Sequence, residues 1–162
     1  MTDGTQGILT LVGGCDTLAV PAAYRWELIP PTTIRKNWDD FRLKLLAVKR
    51  KGDVDWIPED VFHEILSGIS TVFFVYKNEV YHGFVVVRKD FARYSGNPYL
   101  FVFILGVQDW DDEFGENAVK FFKDVARNMG VTKARFEGRP GWLRANKNHG
   151  CRVVNVMMEG TM

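Results

Sequence analysis

The chain is short of several features that define common protein classes. It has two cysteines, Cys15 and Cys151, in 162 residues. That is too few for a disulfide framework, and they read as free thiols in a reducing compartment. It has only the serines Ser67, Ser70 and Ser95. None sits in a nucleophile elbow, so a hydrolytic triad has no support. His63, His82 and His149 stand on separate segments without metal-ligand spacing, so no metal is expected. No apolar run approaches the ~20 residues that span a bilayer, and the N-terminus lacks the basic stretch and apolar core of a signal peptide. An excess of one charge is missing too. Against 20 Asp and Glu stand 21 Lys and Arg, a net charge of +1, so no global field draws the chain to nucleic acid or an anionic membrane. These absences lead us to expect an intracellular protein, or one carried in a particle assembled in the cytoplasm, with neither membrane nor nucleic acid as partner.

What is present is an ordinary globular composition, 46% hydrophobic and 25% charged, in one domain's length of chain. Residues 1–23 differ from the rest, with Gly4, Gly7, Gly13 and Gly14 and little charge. They are expected to be a flexible or extended arm on a domain of residues 24–162. Residues 24–29 alternate like a strand, and Pro30-Pro31 stops it. Thr32 or Thr33 is the expected N-cap of one long helix, since Ile34, Trp38, Phe41, Leu45 and Val48 recur on one helical face as far as Lys51-Gly52. Pro58-Glu59-Asp60 opens a short helix that Ser67-Gly68 ends.

Valine-rich and aromatic strands are expected over 71–76 and 80–88, joined by a hairpin at Lys77-Asn78-Glu79. After a loop at 94–98, residues 99–107 form an almost continuous apolar run, the pattern of a strand buried on both faces. The acidic stretch 109–113 opens a second long helix with Phe114, Ala118, Phe121, Phe122, Val125 and Met129 as its apolar stripe and Gly130 as its stop. A strand over 131–137, a short helix over 142–149 and a strand over 152–158 complete the order.

That order resembles the GNAT family of N-acetyltransferases over residues 24–158. Three stretches carry the likeness: Val80-Tyr81-His82-Gly83-Phe84, the strand over 99–107 running into a long helix, and the helix over 142–149 closed by Gly150 before Cys151-Arg152-Val153-Val154. The resemblance implies an α/β (α+β) fold with a mixed, mostly antiparallel central sheet and helices on both faces. Gly138-Arg139-Pro140-Gly141-Trp142-Leu143-Arg144 also resembles small GNAT-like proteins of tailed bacteriophages, which implies a host cytoplasm or virion as location.

In an active member of the family, a glycine-rich loop with a basic residue joins the fourth strand to the next helix and cradles the diphosphate of coenzyme A on backbone N–H groups. Here that junction reads Gly106-Val107-Gln108-Asp109-Trp110-Asp111-Asp112-Glu113-Phe114-Gly115-Glu116, with five carboxylates and no basic residue. Two like charges ~6 Å apart repel by roughly 0.7 kcal/mol at the dielectric of water, so several carboxylates could remove roughly 2–4 kcal/mol of cofactor binding before screening. The family's tyrosine acid, four residues before the closing glycine, is matched by Asn146, an amide that cannot deliver a proton. Asp109, Asp111 and Asp112 lack the spacing and turn glycine of a calcium loop and read as a capped, solvated helix start.

The leading expectation is therefore a non-catalytic GNAT-like protein without cofactor, acting in assembly or contacts with other phage or host proteins or with its own copies. Arg139, Trp142 and Arg144 are its candidate interaction residues. The alternative is an acetyl-CoA-dependent acyltransferase with an atypical loop, holding the pantetheine arm on backbone groups of Leu105, Gly106 and Val107. His82 is its candidate base, against the plainer reading of a histidine hydrogen-bonded in the sheet.

Overall fold

The computed structural model describes residues 23–52, 54–136 and 152. The expected arm (apart from Ala23), the helix over 142–149 and the final strand (apart from Arg152) lie outside them. The described chain runs β1 (Tyr24–Ile29), α1 (Pro31–Lys36), α2 (Trp38–Lys49), α3 (Pro58–Leu66), β2 (Ser70–Lys77), β3 (Val80–Phe91), β4 (Pro98–Val107), α4 (Asp112–Asn128) and β5 (Ala134–Phe136). The strands form one five-stranded sheet in the order β1-β2-β3-β4-β5. The first three pairings are antiparallel, and β4 pairs with β5 in parallel.

Alternation along the strands divides the core in two. Val72, Phe84, Val86 and Ile104 face α1, α2 and α3 and pack on Ile34, Phe41, Leu45, Val61 and Ile65. Val85, Val87, Leu100 and Val102 face α4 and pack on Val125 and Ala126. The sheet is thus covered by helices on both faces, and Val85, Val86 and Val87 at its centre are fully buried. Edge strand β1 is tied to α4 by Trp26, whose ring lies 4.0 Å from that of Phe121 at 6° and whose Nε1 donates to Asn117 Oδ1 at 2.7 Å. A parallel stack with a satisfied indole N–H lets a large ring be buried at an edge without an orphan donor.

The expected long first helix is two helices. Pro30, extended at φ −61°, ψ 145°, is the N-cap rather than Thr32 or Thr33, and its carbonyl accepts from the N–H groups of Thr33 and Ile34. Asn37 then interrupts the run at φ −115°, ψ 31°. Its side-chain amide and its backbone N–H both donate to the Thr33 carbonyl, the local competition with helix geometry that asparagine offers. The apolar face survives the break, because Ile34 and Phe41 are both buried.

The β2–β3 hairpin turns on two residues only, Asn78 and Glu79, at φ 50° and 64°. Both are left-handed, as a twist-compatible two-residue turn requires. Asn78 also exchanges hydrogen bonds with Ala23 and extends the β1–β2 ladder by one step. The long helix ends as its sequence suggests. Gly130 is left-handed, the Val131 N–H donates to the Ala126 carbonyl, and the Gly130 N–H donates to that of Arg127, a Schellman arrangement. β3 extends to Phe91, beyond the expected end at 88, and β5 is shorter at its start than expected.

Gly83 and Gly106 lie on neighbouring strands, Gly83 opposite Val107 and Gly106 opposite Phe84. A Cβ on Gly83 would fall on the carbonyl oxygen of Gly106 and 2.7 Å from Val107 Cα, both backbone atoms that cannot step aside. A Cβ on Gly106 would meet side-chain atoms, Phe84 Cε1 at 2.6 Å and Val48 Cγ2 at 2.7 Å. Gly83→Ala should cost about 3 kcal/mol and Gly106→Ala about 1–2 kcal/mol, read as a lowered urea midpoint at unchanged slope. Equal stabilities of the two variants would contradict this packing.

Candidate functional site

The place to look for chemistry is where β4 hands over to α4. Leu105, Gly106 and Val107 form the end of β4, paired with Val85, Phe84 and Gly83 of β3. Leu105 packs on the α4-facing core and Val107 on a smaller cluster with Val75, Phe114 and Ala118. A register shift between Val86 and Val87 leaves Phe103 as an extra residue in β4, and a bulge of this kind bends a strand and increases its twist. Among the described residues β5 accompanies β4 only over Leu100–Val102, so the outer edge of residues 103–107 has no strand partner among them. The three candidate backbone groups therefore do lie together at one strand end.

His82 is brought to the same place and is used for structure. It is 5% exposed, between the rings of Tyr24 and Phe114 at 5.9 and 5.2 Å. Nε2 lies 3.0 Å from the Asp109 carbonyl oxygen. A carbonyl only accepts, so Nε2 carries the hydrogen and donates. The His82 backbone carbonyl accepts from the Gln108 N–H. Side chain and backbone together clamp the loop between β4 and α4 onto β3. His82 is thus hydrogen-bonded through both side chain and backbone at this strand end.

The mouth of α4 is closed by the chain itself. Asp111, extended at φ −112°, ψ 174°, is the N-cap. Its Oδ1 accepts from the Phe114 N–H at 2.7 Å, and its Oδ2 accepts from Lys77 Nζ at 3.2 Å. Its own carbonyl receives the Gly115 N–H. The Phe114 N–H above all, with Lys77 beside it, holds the Asp111 carboxyl below the usual range despite partial burial. Lys77 Nζ also lies 5.4 Å from the Tyr24 ring centroid, and the buried Tyr24 hydroxyl makes no hydrogen bond among the described residues.

An open depression of about 340 Å³ lies alongside, lined by Tyr24, Glu113, Glu116, Asn117 and Lys120. Asp109, Asp112 and Glu116 are exposed and make no ion pair among the described residues. A diphosphate does not fit this arrangement. One amide of the first turn is already bonded to a carboxylate, and the surroundings add like charge. No group of three or more His, Cys, Asp or Glu side chains among the described residues is placed to hold a metal ion. No helix among them is long and apolar enough to cross a membrane.

Sequence reasoning missed the Lys77–Asp111 pair and the bulge at Phe103. The carboxylates of residues 109–113 were a legible helix-start signal, but nothing in the sequence marks Lys77 as the partner of Asp111 from 34 residues away. A second network also went unread. Arg88 Nη1 pairs with Glu64 Oε1 at 2.8 Å, Ser70 Oγ donates to Glu64 Oε2, and the Arg88 guanidinium lies over Phe101 and Phe103. It fastens α3 to the bulged stretch of β4. Arg139, Trp142 and Arg144, and Asn146 with them, lie outside the described residues.

No protein-family model matches the sequence, and no curated protein matches it. Solved structures do match in fold. One is described as a predicted acetyltransferase with acetyl-CoA from Clostridium acetobutylicum, at a TM-score of 0.61 and 7% identity, covering 86% of this chain and 96% of that one. The aminoglycoside N-acetyltransferase AAC(6')-Iy in complex with CoA gives 0.59 at 14% identity, covering 90% and 98%. Glucosamine-6-phosphate N-acetyltransferase from Arabidopsis thaliana gives 0.57 at 14% identity, covering 86% and 98%. With a mostly antiparallel five-stranded sheet between helices, the chain has a GNAT-like fold.

Proposed function

We propose that the chain is a non-catalytic member of this fold that serves as a structural or assembly component through protein contacts, without bound cofactor. The observation that carries the reading is the Asp111 carboxylate on the Phe114 N–H, fixed there by Lys77. An anion arriving at this helix end must displace a bonded carboxylate and approach Asp109, Asp112, Glu113 and Glu116 as well. Roughly 2–4 kcal/mol of opposing electrostatics lowers affinity by about 30- to 1,000-fold. The finer proposal of a phage protein, acting in host or virion, rests on the resemblance of residues 138–144.

A second reading, acetyl-CoA-dependent N-acyltransfer, is favoured by one observation. The outer edge of β4 after the Phe103 bulge is without a strand partner among the described residues. Backbone groups of Leu105, Gly106 and Val107 would hold the pantetheine arm there. Titration of acetyl-CoA in a calorimeter separates the two readings. We expect no saturable heat and no rise in melting temperature at about 10 μM acetyl-CoA, and micromolar binding would put the enzyme reading first.

The cap itself gives a further expectation. Asp111→Ala should cost about 1 kcal/mol of stability. The folded-state pKa of Asp111 lies below its unfolded value. Its contribution is therefore fully present above the unfolded value of about 4 and lost as pH falls through the folded value. Asp111→Asn should be less stable than the parent at pH 7, and the gap should close as the pH is lowered past about 4. Denaturant melts across that range check it; a gap independent of pH would show that the carboxylate charge is not at work.

A further inference from the structure

Charge in this molecule is sorted along the strands. At one end, the α4 N-terminus presents the exposed carboxylates of Asp109, Asp112 and Glu116. The nearby cations Lys77 and Arg25 are engaged, Lys77 by Asp111 and Arg25 by Glu27 and Glu79. Lys120, in the wall of the depression, is one cation at this end outside those pairs.

At the other end lie the β3–β4 connection and the start of β5. The exposed Lys89, Arg93, Lys133 and Arg135 make no ion pair with any carboxylate among the described residues. The register sets Lys89 opposite Leu100, whose N–H donates to the Lys133 carbonyl, and Arg135 opposite Phe101. Asp90 is committed to Arg88. The ten residues of β4 separate the two ends by about 33 Å.

The basic end also carries anchors. Tyr94 is 92% exposed and Phe91 58%. The Arg93 guanidinium lies 5.5 Å from the Tyr94 ring centroid, and that of Arg135 lies 4.3 Å from the Tyr99 centroid. Stacking holds a guanidinium flat and in place, so less freedom is lost when it meets a carboxylate. Exposed ion pairs alone are worth little, and it is Tyr and Arg together that dominate interface energetics. The acidic end offers an apolar counterpart in Val80, 69% exposed at the tip of the β2–β3 hairpin.

We infer that this protein associates head to tail with further copies of itself, the basic aromatic end of one copy docking on the acidic end of the next. This rests on the reading of the chain as an assembly component. Both complementary surfaces belong to one chain and lie at opposite ends of it, so they meet between copies and not within one. Such a contact is heterologous, and it extends to a third copy unless the rotation closes a ring.

Sedimentation and light scattering of the whole chain test it. The weight-average mass should rise with concentration at about 20 mM salt and return to that of a monomer at about 0.5 M, where screening is short-ranged. Arg93→Glu with Arg135→Glu cancels the positive charge of the basic end, and Asp112→Lys with Glu116→Lys cancels the negative charge of the acidic end. Each pair should abolish self-association, and mixing the two variants should restore it. Circular dichroism shows that each is folded. A monomer at every concentration in low salt overturns the inference, as does association that neither reversal weakens. A chain that stays monomeric yet binds poly-glutamate at its basic end overturns it too, in favour of a foreign acidic partner. The outcome is separate from cofactor binding. A monomer that ignores acetyl-CoA sinks the self-association alone, and a self-associating chain that binds acetyl-CoA sinks the non-catalytic reading alone.

Discussion

The turn from β4 into α4 is made by the chain bonding its own groups to the helix mouth. His82 Nε2 holds the Asp109 carbonyl, the His82 carbonyl holds the Gln108 N–H, and Asp111 receives the Phe114 N–H and the Lys77 ammonium. A helix start has several N–H groups without partners inside the helix, and something must take them. In an anion-binding protein a ligand can do so. Here a carboxylate three residues upstream takes one of them, the Phe114 N–H. Much of the surrounding architecture follows from that. With its loop clamped, α4 lies flat on the sheet, buries Phe114 between Tyr24, Trp26, His82 and Trp110, and offers Trp26 the Asn117 acceptor.

The same constraint shapes the electrostatics. A carboxylate serving as a cap is stabilised by the helix it caps, and the Phe114 N–H holds the Asp111 carboxyl below the usual range. Asp109, Asp112 and Glu116 are not used in that way. They are left on the surface and give one end of the molecule its sign. These exposed carboxylates surround a helix start whose Phe114 N–H is already bonded to Asp111. Function resides in a site and not in a fold, so the proposal for this chain rests on this helix start and not on the sheet.

Much of the architecture was legible in the residues. Alternation at residues 24–29 and the apolar run before Gln108 located β1 and β4 closely, because side-chain period and burial are imposed by the sheet itself. The carboxylates of residues 109–113 and Gly130 after Met129 bracketed α4 through local chemistry, without singling out Asp111 as the cap. The break at Asn37 was not legible, since the apolar spacing from Ile34 to Phe41 runs straight through it and only the asparagine's bond to Thr33 reveals it. Likewise the two-residue turn at Asn78 and Glu79 sits in the left-handed region without a glycine, against the usual sequence signal. For the site, the sequence showed the excess of carboxylates but not their division of labour. The carboxylate that pairs, Asp111, is met by Lys77, which the β2 pairings place there from 34 residues away.

The central claim is that the amides opening α4 are held by Asp111 and not by a ligand's phosphates. Backbone amide NMR of the whole chain during titration with coenzyme A reads this directly. The account predicts that the Phe114 and Gly115 amide signals stay where they are up to about 10 μM coenzyme A. Saturable shifts of those two amides at micromolar coenzyme A would contradict it.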